Sequence, residues 1–219
     1  MKYNIVSKPY IKNLSIIFKK EIFKKKNRKI LLTGGNTFKQ IYSNININPK
    51  SNHLKKKLFF VTDERINVKL KDTNFKNIKK NFFKNKNIKI FFYFNFKDNN
   101  IKNSLKKYSS LLPKAPDLVF LSLGSGGHVA SIFKNSNLLE IKQKLGFKKK
   151  SKFMGARISI SMNYINRSKK IILVVGSNKS YELKNFLLNR IKHYPAFKIN
   201  KKNILIYIYD KEYNKVINL

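Results

Sequence analysis

His128 closes the turn Gly124-Ser125-Gly126-Gly127-His128, where a glycine-rich backbone sets an imidazole at its mouth. An imidazole near its unperturbed pKa of about 6.5 can take and return a proton at neutral pH. A second glycine loop, Thr33-Gly34-Gly35-Asn36-Thr37, follows an apolar run. Its two glycines let the backbone approach a ligand closely, and the helix behind them presents N–H groups with no partner of their own. Gly34, Gly35, Asn36 and Thr37 are therefore a candidate phosphate cradle. Asp63-Glu64-Arg65 sets three charges directly after another apolar run, conspicuous in a chain with only ten acidic residues. Gly176-Ser177-Asn178-Lys179 places an ammonium at a further helix start. Taken singly, each segment has a plain structural explanation: a tight turn, a solvated charged corner, a packing histidine, one lysine in a lysine-rich chain. A glycine loop, an acid pair with an arginine, a histidine and a lysine on one edge of one sheet are the parts that a phosphosugar site requires.

Whether they share an edge depends on the elements between them. Runs dense in Ile, Leu, Val and Phe recur at 29–33, 58–62, 88–94, 117–123, 171–176 and 204–209, and read as strands. Most are continuously apolar rather than alternating, which suits a sheet covered on both faces by helices. Ile11, Leu14, Phe18 and Ile22 make one helical stripe, and Leu183, Phe186, Leu187 and Ile191 make another. Strands alternating with helices predict an α/β fold, a three-layer, doubly wound, mostly parallel sheet of Rossmann-like type. In such sheets ligands bind beyond the carboxyl ends of the strands, where all four segments fall. No internal repeat and no Gly/Ser/Pro linker divides the chain, so one domain over 1–219 is expected. The lysine-rich stretches 24–29 and 148–152 read as exposed turns.

Composition removes several classes of chemistry. Without cysteine there is no disulfide framework, no thiolate zinc site and no thiol nucleophile, and the three histidines are far apart in sequence. Neither a metal nor a cofactor is expected. No apolar run approaches the roughly eighteen residues needed to cross a bilayer, and Met1-Lys2-Tyr3-Asn4 lacks the apolar core of a signal peptide, which predicts a cytoplasmic protein with no membrane partner. The formal charge of +39 would suit a phosphate-rich partner. Its lysines, however, are spread along the whole chain among Asn, Ile and Phe, and only five of the forty-nine basic residues are arginine. A surface shaped for nucleic acid would favour the guanidinium fork, so no specific nucleic-acid partner is expected.

Read in order, these segments resemble the 6-phosphogluconolactonases. The resemblance rests on Thr33-Gly34-Gly35-Asn36-Thr37, on Phe60-Val61-Thr62-Asp63-Glu64-Arg65, and on Asp117-Leu118-Val119-Phe120-Leu121 through Gly127-His128-Val129-Ala130-Ser131-Ile132-Phe133. Arg157-Ile158-Ser159-Ile160-Ser161, Gly176-Ser177-Asn178-Lys179 and Tyr194-Pro195-Ala196 complete it. It implies the fold shared with glucosamine-6-phosphate isomerases and deaminases. It also implies hydrolysis of 6-phospho-D-glucono-1,5-lactone, the second step of the oxidative pentose phosphate pathway, by a monomer or small homo-oligomer. By the same resemblance His128 is the general base, Arg65 contacts the substrate and offsets developing charge, and Asp63 supports the site or meets a substrate hydroxyl. The Gly34 to Thr37 loop, Arg157 and Lys179 hold the phosphate. Some positions depart from the pattern. Gly126 stands where the family has Asp before Gly-His, Asn36 replaces Ser and Phe38 replaces Pro. The Val-Pro expected after Arg65 is missing, although Asp72-Thr73-Asn74 is similar to a later Ser-Asn. A deaminase-like isomerase is one alternative, but its pattern carries a carboxylate five residues after the histidine, where this chain has Phe133. A catalytically weakened homologue and a basic nucleic-acid-binding protein are the others.

Overall fold

The computed structural model describes residues 2–47, 52–66, 73–84, 91–94, 100–150, 155–188, 190–191 and 193–217. From the amino end the chain forms β1 (Lys2–Val6), α1 (Tyr10–Phe23), β2 (Lys29–Leu32), α2 (Asn36–Ser43), α3 (Asn52–Lys55), β3 (Leu58–Val61) and β4 (Asp63–Arg65). It continues through α4 (Asn74–Asn81), β5 (Phe91–Phe92), α5 (Ile101–Leu111), β6 (Leu118–Ser122), β7 (Leu145–Lys148) and β8 (Arg157–Ile160). The last elements are α6 (Met162–Asn166), β9 (Ile171–Val175), α7 (Ser180–Leu187), β10 (Ile204–Tyr209) and α8 (Asp210–Ile217).

Seven strands form one sheet in the order β1-β10-β9-β6-β2-β3-β5, and every pairing in it is parallel. This is the expected mostly parallel α/β architecture flanked by helices. The apolar runs account for it: all five residues of β9 and the first four of β6 are buried, as strands covered on both faces must be. The chain winds outward from β2 through β3 to β5, returns to the other side of β2 as β6, and winds outward again through β9 and β10. The order therefore reverses between β2 and β6, which sets the loops after these two strands side by side at the carboxyl edge.

Helices α1, α2 and α4 pack side by side. Ser15 Oγ donates to the Ile41 carbonyl (2.9 Å), the Phe18 and Phe38 rings lie 5.5 Å apart, and those of Tyr42 and Phe82 5.2 Å apart. Tyr108 of α5 is buried, and its hydroxyl both donates to the Val61 carbonyl and accepts from the Val61 N–H, each at 2.8 Å. That contact pins α5 to the last residue of β3.

Five features depart from the expectations. β1, unforeseen because Lys2-Tyr3-Asn4-Ile5-Val6 is neither continuously apolar nor long, pairs with β10 at the sheet edge, where four of its five residues are exposed. The run at 88–94 contributes only Phe91–Phe92 as strand, and 88–90 lie outside the described residues. Asp63-Glu64-Arg65, expected as three charges directly after a strand, is itself a strand: with β8 and β7 it makes a separate antiparallel sheet in the order β4-β8-β7. Lys148 ends β7 instead of lying in a turn, while 151 and 152 are outside the described residues. Ile191 lies beyond the end of α7, which carries Leu183, Phe186 and Leu187.

Candidate active site

Both glycines after β2 are required by the local geometry. Gly35 has φ +92°, a conformation that favours glycine, and a Cβ on Gly34 would overlap the Asn74 carboxamide. Asn74 lies against the loop because its side-chain N–H donates to the Asp63 carbonyl (2.7 Å). Thr37 turns the other way, toward the loop after β9, where a Cβ on Gly176 would come within 3.1 Å of its hydroxyl.

The small sheet supplies the charged groups. Alternation along β4 puts Asp63 and Arg65 on one face and Glu64 on the other. Register with β8 pairs Asp63 with Ser159 and Arg65 with Arg157, so two guanidinium groups stand directly across the strands from each other. Burial lowers the Arg157 pKa and the neighbouring Arg65 charge lowers it further, while Asp63 and Glu64 pull the opposite way. Like charges so placed call for an anion. Asp63 is buried and held, accepting from Thr62 Oγ1 (2.8 Å) and from Ser131 Oγ (2.7 Å). Glu64 serves structure: its carboxylate accepts from the N–H groups of Arg65, Asn74 and Phe75, each at 2.8 Å, and so caps α4. Burial pushes its carboxyl up to about 7, against those three N–H groups, which favour the charged form.

His128 is placed by the turn before it. Gly126 and Gly127 both have φ +69°; a Cβ on Gly127 would overlap Tyr194, and one on Gly124 would overlap the His128 ring itself. The ring Nδ1 lies 2.8 Å from the Ser125 carbonyl. A carbonyl only accepts, so Nδ1 carries the proton and Nε2 is left with its lone pair. Burial lowers the His128 pKa, with Lys179 and Arg157 adding to the effect and the Ser125 contact and Asp63 opposing it. The ring is therefore neutral at pH 7, and it packs on Phe133 with centroids 4.6 Å apart.

These groups meet around a cavity of about 140 Å³ at the switch point between β2 and β6. Of the residues singled out in the sequence, Gly34, Gly35, Asp63, Arg65, His128 and Arg157 line it. Asn36, Thr37 and Lys179 do not: Asn36 is exposed at the start of α2, and the Lys179 ammonium donates to Ser125 Oγ (2.7 Å) behind the histidine turn. The lining also includes Thr33, Asn74, Ser122, Ala130, Ser131 and Phe133. Ser131 and Phe133 sit in a segment already noted for its histidine. Ser122 carried no signal of its own, because a serine inside an apolar run reads as part of a strand. Among the described residues no group of His, Asp and Glu is arranged to hold a metal, and no helix is long and apolar enough to cross a membrane.

A neutral imidazole, one fixed carboxylate and two opposed arginines at the switch point of a doubly wound sheet define an α/β enzyme site for a small anionic substrate. The chain belongs to the glucosamine-6-phosphate isomerases/6-phosphogluconolactonase family, whose model matches residues 9–207. A curated relative, a probable 6-phosphogluconolactonase of Dictyostelium discoideum, is 32% identical over 185 residues, covering 77% of this chain and 78% of the relative. The crystal structure of 6-phosphogluconolactonase from Thermotoga maritima superposes with a TM-score of 0.78 at 22% identity, over 95% of this chain and 98% of that one. A monomeric glucosamine-6-phosphate deaminase superposes with a TM-score of 0.79 at 14% identity, over 98% and 100% of the two chains. At such identities the two structural likenesses speak for the fold alone.

Proposed function

We propose that this chain hydrolyses 6-phospho-D-glucono-1,5-lactone to 6-phosphogluconate, the second step of the oxidative pentose phosphate pathway. One observation carries the reading: a neutral imidazole with a free Nε2 and a cross-strand pair of arginines share one cavity, in which Asp63 is the single carboxylate among the described residues. Opening a lactone asks for one base, one water and stabilisation of one oxyanion. Ring opening and proton shuttling in a deaminase ask for a further acid, and Phe133 occupies the position where that family pattern carries it.

In the mechanism His128 Nε2 takes a proton from water as the water oxygen bonds to the lactone carbonyl carbon. Arg65 would offset the charge that develops on the carbonyl oxygen. Collapse of the tetrahedral intermediate breaks the bond from that carbon to the ring oxygen, and the imidazolium returns its proton to the departing oxygen. The Gly34–Gly35 backbone and Arg157, which line the cavity, would anchor the phosphate so that the carbonyl meets the water, while Asn36, Thr37 and Lys179 stand outside that lining. Asp63, already fixed by Thr62 and Ser131, would accept from a sugar hydroxyl. No covalent enzyme intermediate is needed.

The lactone also opens spontaneously, so the test is acceleration over the uncatalysed rate for the wild type, His128→Ala and Gly126→Asp. Loss of a general base costs about 10² to 10⁴ in rate, and His128→Ala is expected to fall by that much. Full activity in His128→Ala would remove the base assignment. A gain in Gly126→Asp would show that the glycine weakens the enzyme. Release of ammonia from glucosamine 6-phosphate without acceleration of lactone opening would move the chain to the deaminases.

A further inference from the structure

The Ser125–Gly126 peptide unit is held on both sides. Its carbonyl faces His128 Nδ1 at 2.8 Å, and its N–H donates to Glu182 Oε1 at 3.3 Å. A peptide is planar and stiff, so a group that grips the N–H also sets the direction of the carbonyl. Hydrogen bonds in a chain polarise one another, so a carboxylate on the N–H makes the carbonyl a stronger acceptor for the imidazole proton. We propose that Glu182 is the positioning carboxylate of this site, acting on His128 through the intervening peptide group, and the kinetic part of this inference rests on the lactonase reading.

The turn needs such a hold. Ser125 and Gly126 are exposed, Gly126 has no side chain, and a Cβ there would meet nothing within 4 Å, so packing does not fix the peptide. The tethers from outside the turn come from the start of α7: Glu182 on the Gly126 N–H, and the Lys179 ammonium on Ser125 Oγ at 2.7 Å. That end of α7 is itself anchored, because the N–H groups of Asn178 and Lys179 both donate to the carboxylate of Glu212, a fully buried residue of α8, at 3.0 Å. A continuous path thus runs from a buried carboxylate through α7 to the peptide behind the base. The ring's other charged neighbours are Asp63, Arg65 and Arg157 from the small sheet, Lys179 from the α7 turn, and Lys148 across Phe133. The carboxylate that meets the Ser125–Gly126 N–H is that of Glu182.

The experiment compares wild type, Glu182→Gln and Glu182→Ala by ring ¹⁵N NMR, with His128→Ala to assign the signal, and by steady-state kinetics. In wild type the His128 shifts should report Nδ1–H with an unprotonated Nε2. Glu182→Ala should mix the two tautomers, lower kcat by about fivefold to tenfold with KM unchanged, and move the acid limb of the rate profile to lower pH. Glu182→Gln keeps an acceptor for the N–H without the charge, and should recover the tautomer and part of the rate. Wild-type ring shifts and kcat in Glu182→Ala would overturn the proposal, and so would a change confined to KM. Should the wild type fail to accelerate lactone opening, the lactonase reading falls, while the ring shifts still decide whether Glu182 sets the tautomer.

Discussion

In the proposed mechanism His128 can act as a base only while its ring is neutral, and burial holds its pKa below the ordinary imidazole value of about 6.5. A lowered pKa keeps the ring unprotonated further into acid. The acid limb of kcat/KM should therefore have its midpoint under about 6.5, as measured by initial rates corrected for spontaneous lactone opening. A midpoint above that value would mean that another group limits the rate. Gly124 bears on the same ring from beneath, since any Cβ there overlaps the imidazole. Misplacing a catalytic group by about 1 Å can cost about 10² in rate, so Gly124→Ala should lose activity on that scale. A circular dichroism melt should show a much smaller loss in stability. The charge pairing is likewise a property of single residues: the Arg65 charge lowers the pKa of Arg157 across the strands, while Asp63 and Glu64 oppose it.

At the scale of elements, the carboxyl edge of the large sheet carries the loops and the small sheet carries the charges. The β4–β8 register decides which side chains enter the cavity. A slip of one residue would bring Glu64 in and turn Asp63 and Arg65 out. The capping of α4 by Glu64 resists such a slip, because it ties the middle residue of β4 to a helix on the opposite face. The amino edge has its own lock in Asp117, just ahead of β6. Its carboxylate accepts from the N–H groups of Arg28 (3.0 Å) and Lys29 (2.9 Å) and pairs with Lys169 at 2.8 Å, so one side chain ties the starts of β2, β6 and β9. Burial opposes its charge, but Lys169 and the two N–H groups outweigh burial and leave its pKa below the usual value of about 3.9. Asp117→Ala should cost about 1–3 kcal/mol in urea unfolding while lactone turnover is kept, because two strand-start N–H groups lose their acceptor. A group with a depressed folded pKa stabilises above its unfolded pKa, so the gap between wild type and variant should close as pH falls below about 3.9.

For the whole molecule, a net charge of +39 on 219 residues means self-repulsion that folding must overcome. Of the ten acids, Glu21 and Asp117 are already engaged with lysines inside the fold. Added salt screens exposed like charges, with a Debye length of about 8 Å at 0.15 M and about 3 Å at 1 M. The melting temperature should therefore rise as sodium chloride is increased over that range, as followed by differential scanning calorimetry. A flat or falling curve would show that the lysines are too well solvated and spread for their repulsion to matter. The same spread predicts that RNA competes with the lactone only at low salt, since counterion release makes such contacts steeply salt-dependent.

Continuous apolar runs and the glycines that follow them are local properties, and from them alone the sequence determined the parallel α/β sheet, the burial of β6 and β9, and the edge at which Gly34, Asp63 and His128 would meet. Side-chain destinations are not local. Asp63-Glu64-Arg65 alternates in a way that a charged corner and a strand share, and only pairing with β8, more than ninety residues away, sets Arg65 against Arg157. Asn74 enters the site because Gly34 leaves it room. Lys179 turns to Ser125, and Glu182 reaches the peptide behind His128, because α7 packs beside the histidine turn. Those contacts join residues distant in the chain, and such pairings exist only once the sheet has closed the distance between them.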